Sequence, residues 1–441
     1  MHTLEALRAG KLVGIKRLDL AADLTEFPAE IFDLADTLEV LNLSGNLLSD
    51  LPQDLTRLHR LRIIFCSDNR FTHVPEVLGQ CANLEMIGFK ANQITHISAK
   101  ALPPKLRWLI LTDNRLQQLP AEIGACANLQ KLMLSGNRLR ELPGAMAGCA
   151  RLELLRIAAN RFERLPAWLL RLPRLAWLAF AGNPFSDAIE KEVMAGLSVN
   201  HIDWSSLDVQ HALGEGASGI IYRAHRTTEH GVHPVAVKVF KGAVTSDGLP
   251  RSEKSACMVA GEHPNLIPVH GRLHGHPADS MGMVMPLIDP GFINLAGPPS
   301  LESCTRDVYA PEARFSLSQL MGIAQGVAAA AAHLHAKGMM HGDLYAHNIL
   351  WNEKGECLLG DFGAASFLPT HDEEFRQGLQ RIEVRAFGCL LEELLAHCHV
   401  PTNEQVNFNA LSALQQCCVQ SPNEARPMFK EIVKELATLV A

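Results

Sequence analysis

A short set of residue types stands in an order that suits phosphoryl-transfer chemistry. A glycine-spaced segment, Leu213-Gly-Glu-Gly-Ala-Ser-Gly-Ile-Ile-Tyr222, precedes Val235-Ala-Val-Lys238; His341-Gly-Asp343-Leu344, Asn348 and Asp361-Phe-Gly363 follow. Transfer of a phosphoryl group between anionic species gains little from covalent help, so it needs close backbone approach, a fixed cation and oxygen ligands. Glycines at 214, 216 and 219 would permit the approach. G-x-G-x-x-G alone is equally compatible with a dinucleotide turn. Here apolar residues at strand spacing flank it on both sides and no helix opens after Gly219, so a hairpin covering phosphates fits better.

The order and spacing of these four motifs resemble the protein kinase family over nearly all of residues 203–441. The resemblance implies ATP and Mg²⁺, and it implies roles. The nucleotide would lie against Leu213, Gly214, Glu215, Gly216, Ala217, Ser218, Gly219, Ile221 and Ala236, with Lys238 on its α and β phosphates. Glu253, in the helical stretch Arg251–Ala260, would orient that lysine, while Glu262 beside His263-Pro264 would be a solvated side chain. Adenine would lie along Met285-Pro286-Leu287-Ile288. Pro286 has no N–H, but the family uses the carbonyl there and takes its donor two residues later, at Ile288. Asn348 and Asp361 would hold the metal, and Asp343 would accept the proton of the attacking hydroxyl. Lys238, Glu253, Asp343 and Asn348 form the expected catalytic set.

Several departures bear on the substrate. Gly342 replaces the usual Arg before the catalytic Asp, which removes the partner for an activation-loop phosphate. Tyr345 stands where Ser/Thr-type kinases carry Lys, and His347 where tyrosine-type loops carry Arg. H-G-D-L also looks like the loop of aminoglycoside and choline kinases. Only Phe362–Ile382 separates Asp361 from Glu383, which stands where the family anchors its next large helix with Asp. No A-P-E follows D-F-G, since Ala310-Pro311-Glu312 lies upstream; Glu373 or Glu374 is the expected partner for Arg426 instead. The leading expectation is an ATP-dependent protein kinase of serine/threonine type. A nucleotide-binding scaffold and a small-molecule hydroxyl kinase are the alternatives.

What positions this set is announced by a second periodicity. Asn46, Asn69, Asn92, Asn114, Asn137, Asn160 and Asn183 recur at steps of 22 or 23 residues, each behind an L-x-x-L-x-L pattern such as Leu106, Leu109, Leu111. The pattern is that of the leucine-rich repeat: one inward-facing strand per repeat, an Asn that satisfies the turn, and a core that only stacking can bury. The expected fold is therefore a two-domain α/β plus α+β chain. A leucine-rich-repeat solenoid of about eight repeats spans residues 1–201, and a bilobal protein-kinase-like domain spans 202–441. Between the buried leucines point Ile63, Phe65, Met86, Trp108, Ile110, Met133 and Trp177, an apolar set that would receive a protein partner or substrate on the concave face, or else the chain's own second domain.

Composition excludes other classes. Of 441 residues, 47% are hydrophobic and 20% charged, which is enough to fold. A net charge of -7 argues against nucleic-acid binding. The stretch Phe315–Ala336 is long enough to span a bilayer but holds His333, His335 and four Ser or Gln residues, so it is expected to be a buried helix. Eleven cysteines without disulfide spacing suit core thiols, Cys81, Cys126 and Cys149 among them at one repeat position. With no basic-then-apolar leader, a cytoplasmic location is expected, and export as an effector stays open. The remaining histidines, His270, His274 and His276 included, are expected to be ordinary, and Pro290–Glu312 to be a flexible insertion.

Overall fold

The computed structural model describes residues 2–198, 200–216, 218–242, 244–245, 247–399 and 404–439. Its contacts divide the chain into two compact units, Met1–Leu172 and Pro173–Ala441. The division falls inside the last repeat, well upstream of residue 201. Residues 173–195 group with the C-terminal part because Arg174, Trp177 and Glu190 find partners there in Arg385, Leu344 and Ser252.

In the first unit a short helix, α1 (Leu4–Arg8), is capped by Thr3 and followed by three-residue parallel strands at Arg17–Asp19, Val40–Asn42, Ile63–Phe65, Met86–Gly88, Trp108–Ile110, Lys131–Met133 and Leu154–Arg156. Neighbours pair in one constant register, Leu109 beside Leu132 and Leu132 beside Leu155. The second and third leucines of each motif are fully buried, as at Leu41, Leu43, Leu109 and Leu111, and each contributes about 2 kcal/mol of apolar burial. The asparagines stitch successive repeats. Asn137 accepts from the Leu116 N–H and donates to the Leu111 and Leu134 carbonyls at 2.8–3.0 Å. Asn46, Asn114 and Asn160 repeat the arrangement. Cys81 and Cys149 are buried, whereas Cys126 is half-buried.

The second unit begins with the strand Trp177–Ala179 and helix α2 (Pro184–Ala195), then forms a six-stranded sheet. Its order is His201–Asp203, Gly271–His274, Gly282–Pro286, Gly231–Phe240, Gly219–Thr228, Leu207–Glu215. Ile202, Val235, Val237, Leu273 and Val284 form its core. Helix α3 (Pro250–Ala260) follows this sheet's third hairpin strand, with Pro in its first turn where the missing N–H costs nothing. A helical lobe comprises α4 (Leu317–Ala336), α5 (Glu373–Ala396), α6 (Gln405–Cys418) and α7 (Phe429–Thr438). Ser316 and Gln319 close a capping box on α4, whose leucines and most of whose alanines are interior. No helix among the described residues is long and apolar enough to cross a membrane.

Residues 290–312 are not a free insertion. Ile293–Asn294 adds a strand to Ile349–Trp351, Arg306 pairs with Glu392 and Glu393, and Cys304 and Thr305 are buried. The Pro/Gly/Ser content signalled irregular backbone; the polar residues among them dock it on α5.

Candidate active site

Between the sheet and the helical lobe lies a cavity of about 410 Å³. Leu213, Ile221, Ala236, Met285, Pro286 and Ile288 make its apolar end together with Val269, Met283 and Leu350; Lys238, Glu253 and Asp361 make its charged end. Strand pairing explains the meeting. Ile221 lies opposite Lys238, and Ala236 opposite Met285, so one register sets the hairpin, the lysine and the apolar edge of the cavity together. Gly214, Glu215, Gly216, Ser218 and Gly219 form the turn of that hairpin, closed by Gly216 N–H on the Gly219 carbonyl at 2.9 Å, and do not line the cavity. Ala217 lies outside the described residues.

Lys238 is buried and ion-paired with Glu253, while Glu262 is exposed. Burial pushes the Glu253 carboxyl up, helped by Asp361 and opposed by Lys238. Burial alone would lower Lys238, but Glu253 and Asp361 hold its ammonium above the ordinary value. Lys238 thus supplies a fixed positive charge at the polar end of the cavity.

The loop His341–Asn348 is tied near both of its ends. The buried His341 Nε2 lies 2.8 Å from the Gly360 carbonyl, Gly342 N–H donates to Glu383 Oε1 at 2.6 Å, and Asn348 Nδ2 donates to both the carbonyl and Oδ2 of Asp343 at 2.9 Å. Glu383 is buried on α5 and also meets His335 Nε2 at 2.8 Å. Burial alone would raise its carboxyl, but His335, His341 and the Gly342 N–H bring it below the ordinary value. His347 rests on Asp307 from the 290–312 segment, through its N–H and Nδ1. Burial acts to lower this imidazole; the Asp307 bond and the charges of Asp307, Asp343 and Asp361 raise it overall. Asp307 carried no motif, so no sequence signal marked it.

Asp361 sits at φ +53° and caps the following turn through Gly363 N–H at 3.2 Å. Its carboxylate and the Asn348 amide are hard oxygen donors, too few to enclose an ion alone, which is the donor set Mg²⁺ takes when phosphates and water complete its shell. These residues fit Mg²⁺ and ATP.

The departures at 342 and 345 have structural causes. Gly342 has φ +74°, and a Cβ there would lie 2.6 Å from the Ala364 carbonyl oxygen and 2.8 Å from that of Leu178. No larger residue fits. Tyr345 is buried and stacked on Trp177, ring centroids 4.2 Å apart and 6° from parallel. Trp177 Nε1 donates to the Leu344 carbonyl at 3.0 Å, and Phe180 N–H donates to Ser366 Oγ at 3.0 Å. Arg426 meets no carboxylate in the positions expected. It donates to the carbonyls of Pro173, Arg381 and Gln420, and burial pushes its guanidinium down to about 10. Glu373 is spent on Arg376 and Gln377. Of the expected partner-facing set, Ile63, Met86, Met133 and Trp177 are buried, and Phe65, Trp108 and Ile110 are half-buried, so the ridge is less exposed than its apolar content suggested. His333 Nε2 lies 2.7 Å from the Ala260 carbonyl.

Comparison with known families agrees with this geometry. Residues 207–389 match the model "Protein tyrosine and serine/threonine kinase", and residues 37–58 and 104–162 match leucine-rich repeat models. Among curated proteins, the chain is 25% identical over 283 residues to ephrin type-B receptor 5 of Gallus gallus and 24% identical over 283 residues to ephrin type-B receptor 4 of Homo sapiens. Each alignment covers 54% of this chain and 27% of the relative. The chain thus spans little more than a quarter of the length of these relatives.

Proposed function

We propose that this chain, a leucine-rich-repeat protein with a protein kinase domain, transfers the γ-phosphate of ATP to serine or threonine hydroxyls of a protein, its repeats serving as the interaction domain. The observation that supports this best is the simultaneous presence of the buried Lys238–Glu253 pair facing Asp361 and of Asp343 held by Asn348. The apolar end of the cavity takes the adenine, with the Pro286 carbonyl and the Ile288 N–H at its edge. Lys238, oriented by Glu253, fixes the phosphates; Asp361 and Asn348 would hold Mg²⁺, which supplies neutralisation of the charge on the transferring group. Asp343 accepts the proton of the attacking hydroxyl, and its bonds from Asn348 keep the carboxylate turned to that task. None of the eleven cysteines is in a disulfide among the described residues, which suits a reducing, cytoplasmic setting.

The test is transfer from labelled ATP with Mg²⁺ to the chain itself and to a generic protein substrate, beside Asp343→Asn. Label that appears on Ser or Thr in the wild type and falls by about a thousandfold in the variant supports the reading. Nucleotide binding with no transfer would turn the domain into a scaffold, and label on phosphotyrosine would revise the specificity.

A further inference from the structure

The kinase domain lacks the platform that usually follows D-F-G, yet its catalytic loop and its glutamate-bearing helix are both held. What holds them is the last repeat. Its strand backs the catalytic loop through Trp177 Nε1 on the Leu344 carbonyl, the Trp177–Tyr345 stack and Phe180 N–H on Ser366. Its first residues fill the place of the missing carboxylate, since Arg426 donates to the Pro173 carbonyl and Arg385 to that of Arg174, both at 3.1 Å. Its helix α2 grips α3 one residue before Glu253. Ser252 Oγ donates to the buried Glu190 Oε2 at 2.9 Å, and Arg251 pairs with Asp187 at 2.7 Å.

We propose that residues 173–195 form a permanent clamp in place of the absent activation platform: Trp177 positions the catalytic loop, Glu190 positions the helix carrying Glu253, and the domain works without phosphorylation of its own D-F-G segment. The inference rests on the kinase reading above. Two features make the clamp one that does not switch. Gly342 removes the guanidinium that a phosphate would engage and leaves room for the Leu178 carbonyl. The segment after Asp361 is too short to carry a loop that swings, because α5 opens at Glu373.

The experiment uses the full chain stripped of phosphate, with intact mass as the check, and compares wild type with Trp177→Phe, Ser252→Ala and Glu190→Gln. Trp177→Phe keeps an aromatic face for Tyr345 but loses the indole N–H and part of the buried ring system, so its melting point is measured beside its activity and the kinetics are read at a temperature where both proteins are folded. We expect kcat to fall about tenfold with KM for ATP unchanged, since a misplaced loop costs rate and not ground-state binding. Ser252→Ala and Glu190→Gln should weaken binding of a fluorescent ATP analogue severalfold, because Lys238 loses its orienting partner. Full wild-type activity without phosphate supports the clamp; activity that returns only after phosphorylation overturns it. Unchanged kcat in Trp177→Phe together with unchanged nucleotide binding in both helix variants also overturns it. A wild type that binds nucleotide but transfers nothing defeats the kinase reading, and the binding arm then decides the clamp alone.

Discussion

Trp108 and Trp177 occupy the same position of the same repeat motif and have different fates. Trp108 in the first unit is half-buried, with the Lys131 ammonium 4.2 Å over its ring and its indole nitrogen without a hydrogen-bond partner among the described residues. Trp177 in the second unit is 2% exposed, bonded to Leu344 and stacked on Tyr345 of the loop His341–Asn348. The inward half of a repeat is dictated by its own pattern, because the leucines and the asparagine find their partners one repeat away. The outward half is dictated by whatever lies there, which the pattern does not encode.

Replacing each tryptophan by alanine should separate the two most widely. Trp177→Ala removes a fully packed indole and should cost about 3–5 kcal/mol, whereas Trp108→Ala should cost about 1 kcal/mol; denaturant unfolding of both variants reads the difference. Gly342→Arg forces a side chain against two carbonyl oxygens at a positive φ and should lower stability by about 3 kcal/mol, seen as a drop in melting temperature. If that variant is as stable as the wild type, the close approach of Leu178 is not real.

The asparagines sharpen the same contrast at lower cost. Asn137→Ala strands a buried N–H and two carbonyls and should cost about 2 kcal/mol. Asn183 keeps the repeat's bond to the preceding carbonyl, its amide donating to that of Phe180 at 2.8 Å, while its backbone N–H donates to Ser186 Oγ at 3.0 Å at the start of α2; as a helix cap it should cost about 1 kcal/mol when changed to alanine.

For His347 the effect depends on pH. Its folded-state value is raised above 6.5, so its stabilisation is complete below that pH and is lost as pH rises through the folded value. Unfolding free energies of wild type and His347→Gln should therefore differ most at about pH 6 and converge toward alkaline pH. Smallest of all, Glu373→Gln should leave the melting temperature unchanged, because its partner Arg376 is one turn away at the surface. A large loss would restore Glu373 as the partner of Arg426.

How much was legible follows from the range of each interaction. The repeats were readable because each buried leucine and each asparagine acts over one period. The meeting of Lys238 with Asp361 at one cavity and of Asn348 with Asp343 was readable because the four motifs stand in the order and spacing of the kinase family. Gly342 and the short segment after Asp361 announced a vacancy but not its occupant, since Trp177 lies 167 residues from Leu344. Asp307 was hidden for a different reason: a single carboxylate inside a Pro- and Ser-rich stretch reads as solvated until the fold buries it against His347.

The central claim is that the last repeat is structurally part of the catalytic loop. It is tested most directly by amide hydrogen exchange across residues 343–348 in the full chain, comparing wild type with Trp177→Phe and Trp108→Phe. The account predicts faster exchange in that loop for Trp177→Phe and wild-type exchange for Trp108→Phe. Equal protection in all three proteins would contradict it.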